Sequence, residues 1–259
     1  MNYDSESLYQ HDRNQTLGNR ERLRKNANLM FWYQELYKEL FSSIPDISNK
    51  QVLEIGSGAS PLKNFLPTVI TSDVLNLEHL DIVFDCHQIA HLKEVPDNSI
   101  DIVTLTNVLH HLRDPLQFLR DMTKKLAKGG QVFLVEPYFS FISYPLYKLL
   151  HHEPVNFKIS RPVLAEVQGP LSSSNQAIPY MIFFLRPDWL QELSESYVLK
   201  ETRYGFFTSL AYMASGGISR IIPIPSWIYR PYFVMDRMLA QRFPKMFASF
   251  FSVRLVVKG

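Results

Sequence analysis

The segment Gln51-Val52-Leu53-Glu54-Ile55-Gly56-Ser57-Gly58-Ala59-Ser60 restricts the fold of this chain more than any other. Val52, Leu53 and Ile55 read as a buried strand, and Gly56 and Gly58 then break it. A strand that closes on glycines lets the backbone turn tightly and approach a ligand, as at the carboxyl ends of strands in open α/β sheets. Glu54 is the unusual residue. A carboxylate two residues before the first glycine gains nothing beside a phosphate, whereas it would attract a ligand with a cationic end.

Alternating elements flank this strand. The spacing of Leu29, Trp32, Tyr33, Leu36, Tyr37 and Leu40 predicts an amphipathic helix over 19–43, ended by Pro45. Ser60-Pro61 opens a short helix to Leu66. Strands are predicted at 68–72, closing on Asp73, at 81–84, closing on Asp85, and at 100–105 after the turn Pro96-Asp97-Asn98-Ser99. A helix over 114–127 stops at Lys128-Gly129-Gly130, a strand follows at 131–135, and Glu136-Pro137 ends it. A helix over 187–196 and strands over 197–207 and 248–257 complete the pattern. The expected architecture is α/β: a Rossmann-like, doubly wound, seven-stranded, mostly parallel sheet with an antiparallel final strand, plus helical insertions. The expected division is an N-terminal helical cover at 1–48 and a domain at 49–259, with insertions at about 138–186 and 208–246.

Composition narrows the setting. The single cysteine, Cys86, excludes an intrachain disulfide framework and a cysteine-built zinc site, and suits a reducing, cytoplasmic compartment. Met1 to Gln15 is polar and mixed in charge, without a basic-then-apolar leader pattern. No apolar run is long enough to span a membrane. The net charge of +2 is unevenly placed: Arg220, Arg230, Arg237, Arg242, Lys245, Arg254 and Lys258 face a single acid, Asp236, in the last part of the chain.

A ligand with a cationic end points to S-adenosylmethionine, whose sulfonium and ammonium groups would both suit Glu54. The order of features resembles the class I S-adenosylmethionine-dependent methyltransferases, especially the small-molecule "type 11" group. The resemblance rests on Glu54-Ile55-Gly56-Ser57-Gly58, on Asp73, on Asp85-Cys86, and on the run from Pro96 through Asn107-Val108-Leu109-His110-His111, with Lys128-Gly129-Gly130 before strand five. It implies S-adenosylmethionine as cofactor, with Glu54, Gly56, Ser57, Gly58, Ser60, Asp73, Asp85, Cys86 and Asn107 around it. Asp73 would take the ribose hydroxyls, and Asp85-Cys86 the adenine edge. Ser60 stands where the family often has a third glycine. Pro61, lacking an amide hydrogen, argues against a nicotinamide-dependent dehydrogenase fingerprint.

Methyl transfer from a sulfonium is an in-line displacement on an activated carbon, so the protein chiefly aligns its ligands and excludes water. A hydroxyl acceptor also needs a base near the strand ends, and His110, His111 and Glu136 are the candidates. His151-His152-Glu153 forms a second cluster. No metal is expected there, because adjacent histidines do not share a helix face.

The expected acceptor is a small molecule or a lipid- or glycan-associated one, and nucleic acid is disfavoured. Aromatic and basic residues interleave between Arg220 and Leu239, with Pro231 expected to begin a helix carrying Phe233, Val234, Met238 and Leu239 on one face. That composition suits a lid or a peripheral contact, through 219–259, with the inner membrane face. A cofactor-binding scaffold without turnover is the alternative from a different functional class.

Overall fold

The computed structural model describes residues 5–151, 153–204, 212 and 222–258. His152, the 205–207 end of the sixth predicted strand and much of the second predicted insertion, Arg220 included, lie outside the described residues.

The chain begins with α1 (Ser5–Lys25) and α2 (Ala27–Leu40). The single helix expected over 19–43 is thus two. The break is at Asn26, whose extended backbone and side chain cap α2 by accepting from the Leu29 amide at 3.1 Å. α1 reaches back through a polar stretch with few apolar residues, which periodicity could not mark as helical. α2 buries Leu29, Trp32, Tyr33, Leu36, Tyr37 and Leu40 at the predicted spacing.

The strands are β1 (Val52–Ile55), β2 (Ile70–Asp73), β3 (Ile82–Val83), β4 (Ile100–Thr106), β5 (Leu126–Pro137), β6 (Tyr197–Tyr204) and β7 (Phe250–Val257). They form one seven-stranded sheet in the order β3-β2-β1-β4-β5-β7-β6. β1 to β5 pair in parallel, and β7 runs antiparallel between β5 and β6. The doubly wound, mostly parallel sheet with an antiparallel final strand is therefore as expected. The chain leaves β1 toward β2 and β3, then returns to β4 on β1's other side. This reversal opens a crevice at the carboxyl ends of β1 and β4.

Between the strands lie α3 (Leu62–Phe65), α4 (Pro115–Met122), α5 (Ser143–Leu150), α6 (Ala177–Tyr180) with a π turn at Met181–Leu185, α7 (Pro187–Ser194), α8 (Ser226–Arg242) and α9 (Pro244–Phe247). Lys128-Gly129-Gly130 does not end a helix. α4 stops at Met122, and the Lys-Gly-Gly segment belongs to β5, where a register irregularity and Gly129 at φ 72° absorb it.

Alternation along the strands separates two cores. Leu53, Ile55, Val103 and Leu105 pack with Phe118, Leu119, Met122 and Trp189. Val52, Ile102, Phe133 and Val135 pack with Trp32 and Leu36 of α2 and with Tyr229 and Phe233 of α8. Glu54 shares the face of Val52, so it lies on the α2 side of the sheet.

α8 corrects two expectations. Pro231 lies inside the helix rather than at its start, because Ser226 follows Pro225 into helical backbone one and a half turns earlier. Its buried stripe is Tyr229, Phe233, Asp236 and Ala240, spaced by four, three and four residues. Val234 and Met238, expected on one face with Phe233, are 53% and 64% exposed, whereas Asp236, expected on the opposite face, is buried with Phe233. Among the described residues no helix is long and apolar enough to cross a membrane.

Candidate functional site

The backbone after β1 turns at Gly56, whose φ is 75° and where a Cβ would collide with Val108 Cγ2. At Gly58 a Cβ would stand 2.7 Å from Thr16 Cγ2 and 3.0 Å from Asp73 Oδ2. Both glycines are therefore required by close approach. The Gly58 amide donates to Asp73 Oδ2 at 2.9 Å and the Leu75 amide to Asp73 Oδ1 at 3.0 Å, fixing the carboxylate at the end of β2. Burial raises the Asp73 pKa against the pull of these amides.

Glu54 is wholly buried. Its Oε1 accepts from Ser60 Oγ at 2.5 Å, and Ser60 Oγ in turn lies 3.1 Å from the Tyr37 hydroxyl. Glu54 Oε2 has no hydrogen-bond partner among the described residues. Burial drives its pKa up to about 7, despite the Ser60 hydrogen bond that favours the charged form. An unpartnered buried carboxylate oxygen fits a cationic ligand group better than a phosphate.

Asn107 ends β4 at φ 56°, a backbone conformation that side chains other than glycine rarely adopt. Its amide donates to the Val135 carbonyl at 2.8 Å, while its Oδ1 is buried without a partner among the described residues. Asp85 caps the 3-10 turn Cys86–His91. Burial would raise its pKa, but the His87 amide and ring outweigh that and hold it below the usual range. Burial pushes the Cys86 thiol up, so it is no nucleophile at neutral pH.

One cavity of about 930 Å³ brings these groups together. Glu54, Gly56, Gly58, Ser60, Asp73, Asp85, Cys86, Asn107, His110 and His111 all line it. Ser57 does not. Its hydroxyl donates to the Glu54 carbonyl at 3.2 Å and accepts from the Ser72 amide at 3.1 Å, tying β1 to β2 beneath the loop.

Glu136 is also outside the lining. It is fully buried behind the turn Leu109–His111, accepting from the Val108 and Leu109 amides at 3.0 and 2.7 Å through Oε1. Its Oε2 meets His110 Nδ1 at 2.5 Å. A residue so enclosed positions His110 rather than touching an acceptor.

The far side of His110 faces Glu153. His110 Nε2 lies 3.2 Å from Glu153 Oε2, and His111 Nε2 lies 3.4 Å from Glu153 Oε1. Burial would lower the His110 pKa, yet the Glu136 and Glu153 carboxylates raise it to about 10. Partial burial would raise the Glu153 pKa, but the two histidines hold it well below the carboxylate range. The second cluster expected from sequence therefore forms differently: Glu153 joins His110 and His111, with His151 Nδ1 3.8 Å from its Oε2.

Sequence reasoning missed several wall residues. Thr16, Tyr33 and Tyr37 come from the helical cover, and Gly169, Pro170, Leu171 and Gln176 from the insertion. Asp12 of α1 holds that insertion: its carboxylate accepts from the Leu171 amide at 2.9 Å and the Ser172 hydroxyl at 2.8 Å. The stacked aromatic spacing of Tyr33 and Tyr37 was the one available signal, and it reads equally as core.

The family model described as "Methyltransferase domain" matches residues 23–165, more than half of the chain. The chain is 26% identical over 145 residues to the ubiquinone/menaquinone biosynthesis C-methyltransferase UbiE of Bdellovibrio bacteriovorus, a match covering 54% of this chain and 58% of that protein's length. Among solved structures, an S-adenosylmethionine-dependent methyltransferase from Mesorhizobium loti aligns over 86% of this chain and 97% of its own, at 12% identity and a TM-score of 0.47. The N-methyltransferase NodS from Bradyrhizobium japonicum, solved with S-adenosyl-L-homocysteine, aligns over 92% and 91% at 14% identity and a TM-score of 0.45.

Proposed function

The chain belongs to the methyltransferase domain family, the class I S-adenosylmethionine-dependent group, and from that membership we propose that its cavity transfers a methyl group from S-adenosylmethionine to a small-molecule or lipid- or glycan-associated acceptor. One observation carries the reading: a buried carboxylate oxygen of Glu54 has no partner among the described residues, at the cavity wall where Asp73 also stands. Glu54 and Ser60 would hold the methionine end, with Gly56 and Gly58 giving the backbone close approach. Asp73 would accept the ribose hydroxyls with lone pairs its two amides leave over. Asp85, Cys86 and Asn107 would line the adenosyl half. Ser57 supports that loop from below.

When bound, the donor supplies an activated methyl carbon. The chain's residues align it and exclude water. Leu146, Tyr147, Val167 and Phe250 give the remaining wall an apolar stretch that suits the acceptor. Where the acceptor is a hydroxyl, its proton would leave toward the His110–His111–Glu153 corner of the cavity.

The lipid-associated reading has its own support. α8 presents Trp227, Val234 and Met238 outward, with Trp227 76% exposed. Phe141 before α5 and Leu149 within it are also exposed, and the Phe141 amide donates to the Lys245 carbonyl at 2.9 Å, joining the two patches. Exposed Arg230, Arg242 and Lys245 border this surface, a composition suited to an anionic lipid interface.

Incubation of the protein with methyl-labelled S-adenosylmethionine and fractionated cell extract tests the reading. Label in a discrete product supports transfer. Donor binding without label in any fraction would favour a cofactor-holding scaffold instead.

A further inference from the structure

At the acceptor end of the cavity, two neighbouring imidazoles turn their Nε2 atoms onto one carboxylate. We propose that His110, His111 and Glu153 bind a divalent transition-metal ion through the two Nε2 atoms and the Glu153 carboxylate.

One ligand atom from each residue lies within 4.8 Å of the others. The turn Leu109–His111 is 3-10 rather than α-helical, and it sets the two rings side by side with centroids 4.3 Å apart. Adjacent histidines thereby reach one point, which an α-helix would forbid.

The hydrogen positions support an ion. The Ser173 carbonyl can only accept, so His111 Nδ1, 3.0 Å away, carries a hydrogen. His110 Nδ1 donates to Glu136, whose other oxygen already accepts two amides. Both Nε2 atoms face Glu153. An ion there would take the place of the hydrogens through which the two rings meet the carboxylate.

The surroundings match a metal centre. Histidine ligands usually donate their second nitrogen to a carboxylate or a backbone carbonyl, which is what Glu136 and Ser173 accept here. Two imidazoles and one carboxylate, with further positions open, form a donor set used for zinc and for non-haem iron(II).

Gln176 adds an independent observation. Its amide nitrogen donates to Glu153 Oε2 at 2.8 Å, which fixes the amide's orientation. Its Oε1 is then a buried acceptor without a partner among the described residues, in the wall of the same cavity.

The ion's open positions would face the cavity, and the ligand class it would take there is an acceptor bearing a hydroxyl or enol oxygen. That role rests on the methyl-transfer reading; the site itself does not.

The test is titration of the chelator-treated, full-length protein with Co²⁺, followed by visible absorption, with S-adenosylhomocysteine binding measured on the same samples. The expected result is one equivalent bound with a ligand-field band. Affinity should fall at least ~10-fold in His111→Asn and Glu153→Gln, and ~10-fold or more in Glu136→Gln, which removes a partner of a ligand. Variants that keep S-adenosylhomocysteine but lose cobalt uphold the site. Wild type that binds S-adenosylhomocysteine but no cobalt overturns it, as do variants that bind cobalt as tightly as wild type. Wild type that binds cobalt but not S-adenosylhomocysteine upholds the metal site and strikes the donor reading alone.

Discussion

Glu54 concentrates the conflict between stability and function at a single residue. Its pKa is near 4.5 when unfolded and about 7 when folded, so the folded chain holds an extra proton between those values. Stability therefore falls as pH rises through that window, and the whole penalty, on the order of 3 kcal/mol, is present above pH 7. Glu54→Gln should raise the thermal midpoint at pH 8 and leave it nearly unchanged at pH 4, while weakening S-adenosylmethionine. Equal shifts at both pH values would contradict this account. The carboxylate was conspicuous in the sequence because it precedes two glycines; its missing partner was not, since that depends on Ser60 and Tyr37 folding back over it. Gly56→Ala should destabilise the loop more than Gly58→Ala. Gly56 combines a positive φ with the closer contact, to Val108 Cγ2, whereas Gly58 meets Thr16 and Asp73 side-chain atoms without a positive φ. Urea denaturation of the two variants measures the difference.

At the scale of elements, what was legible had a local signature. β1, β4 and the end of β2 announce themselves through apolar runs closed by Gly56, Asn107 and Asp73. The second half of the site carries no such signature. Glu153 meets His110 across 43 residues, and Asp12 meets Ser172 across 160, so neither contact leaves a periodic trace. The Asp12 contact makes α1 a strut for the insertion. Asp12→Ala should strand the Leu171 and Ser172 amides, cost about 1–3 kcal/mol, and loosen S-adenosylmethionine binding although Asp12 does not line the cavity. Chemical denaturation and calorimetric titration of the variant read the two effects. α8 was misjudged because both its faces are apolar: Tyr229 and Phe233 inward, Trp227 and Met238 outward. If the outward face meets lipid, the double substitution Trp227→Glu with Met238→Glu should abolish sedimentation with anionic vesicles and leave S-adenosylhomocysteine affinity unchanged. Wild type absent from both anionic and neutral vesicle pellets would remove the membrane reading.

Over the whole molecule, one sheet and two cores hold donor and acceptor walls together. The expected boundary at residue 48 falls between α2 and β1, yet Trp32 and Leu36 share a core with Val52, Phe133 and Tyr229. We therefore propose that cover and sheet unfold as one cooperative unit, which coincident calorimetric and spectroscopic transitions would support. A ligand at 100 times its dissociation constant should add about 2.7 kcal/mol to that unit's stability. The central claim, that the Glu54–Asp73 end of the cavity holds S-adenosylmethionine, is tested most directly by calorimetric titration of wild type and Asp73→Ala. Micromolar binding to wild type, weakened at least ~10-fold in the variant by loss of charge-assisted hydrogen bonds, is the predicted result. Equal affinity in the two proteins, or no binding to wild type, would contradict it.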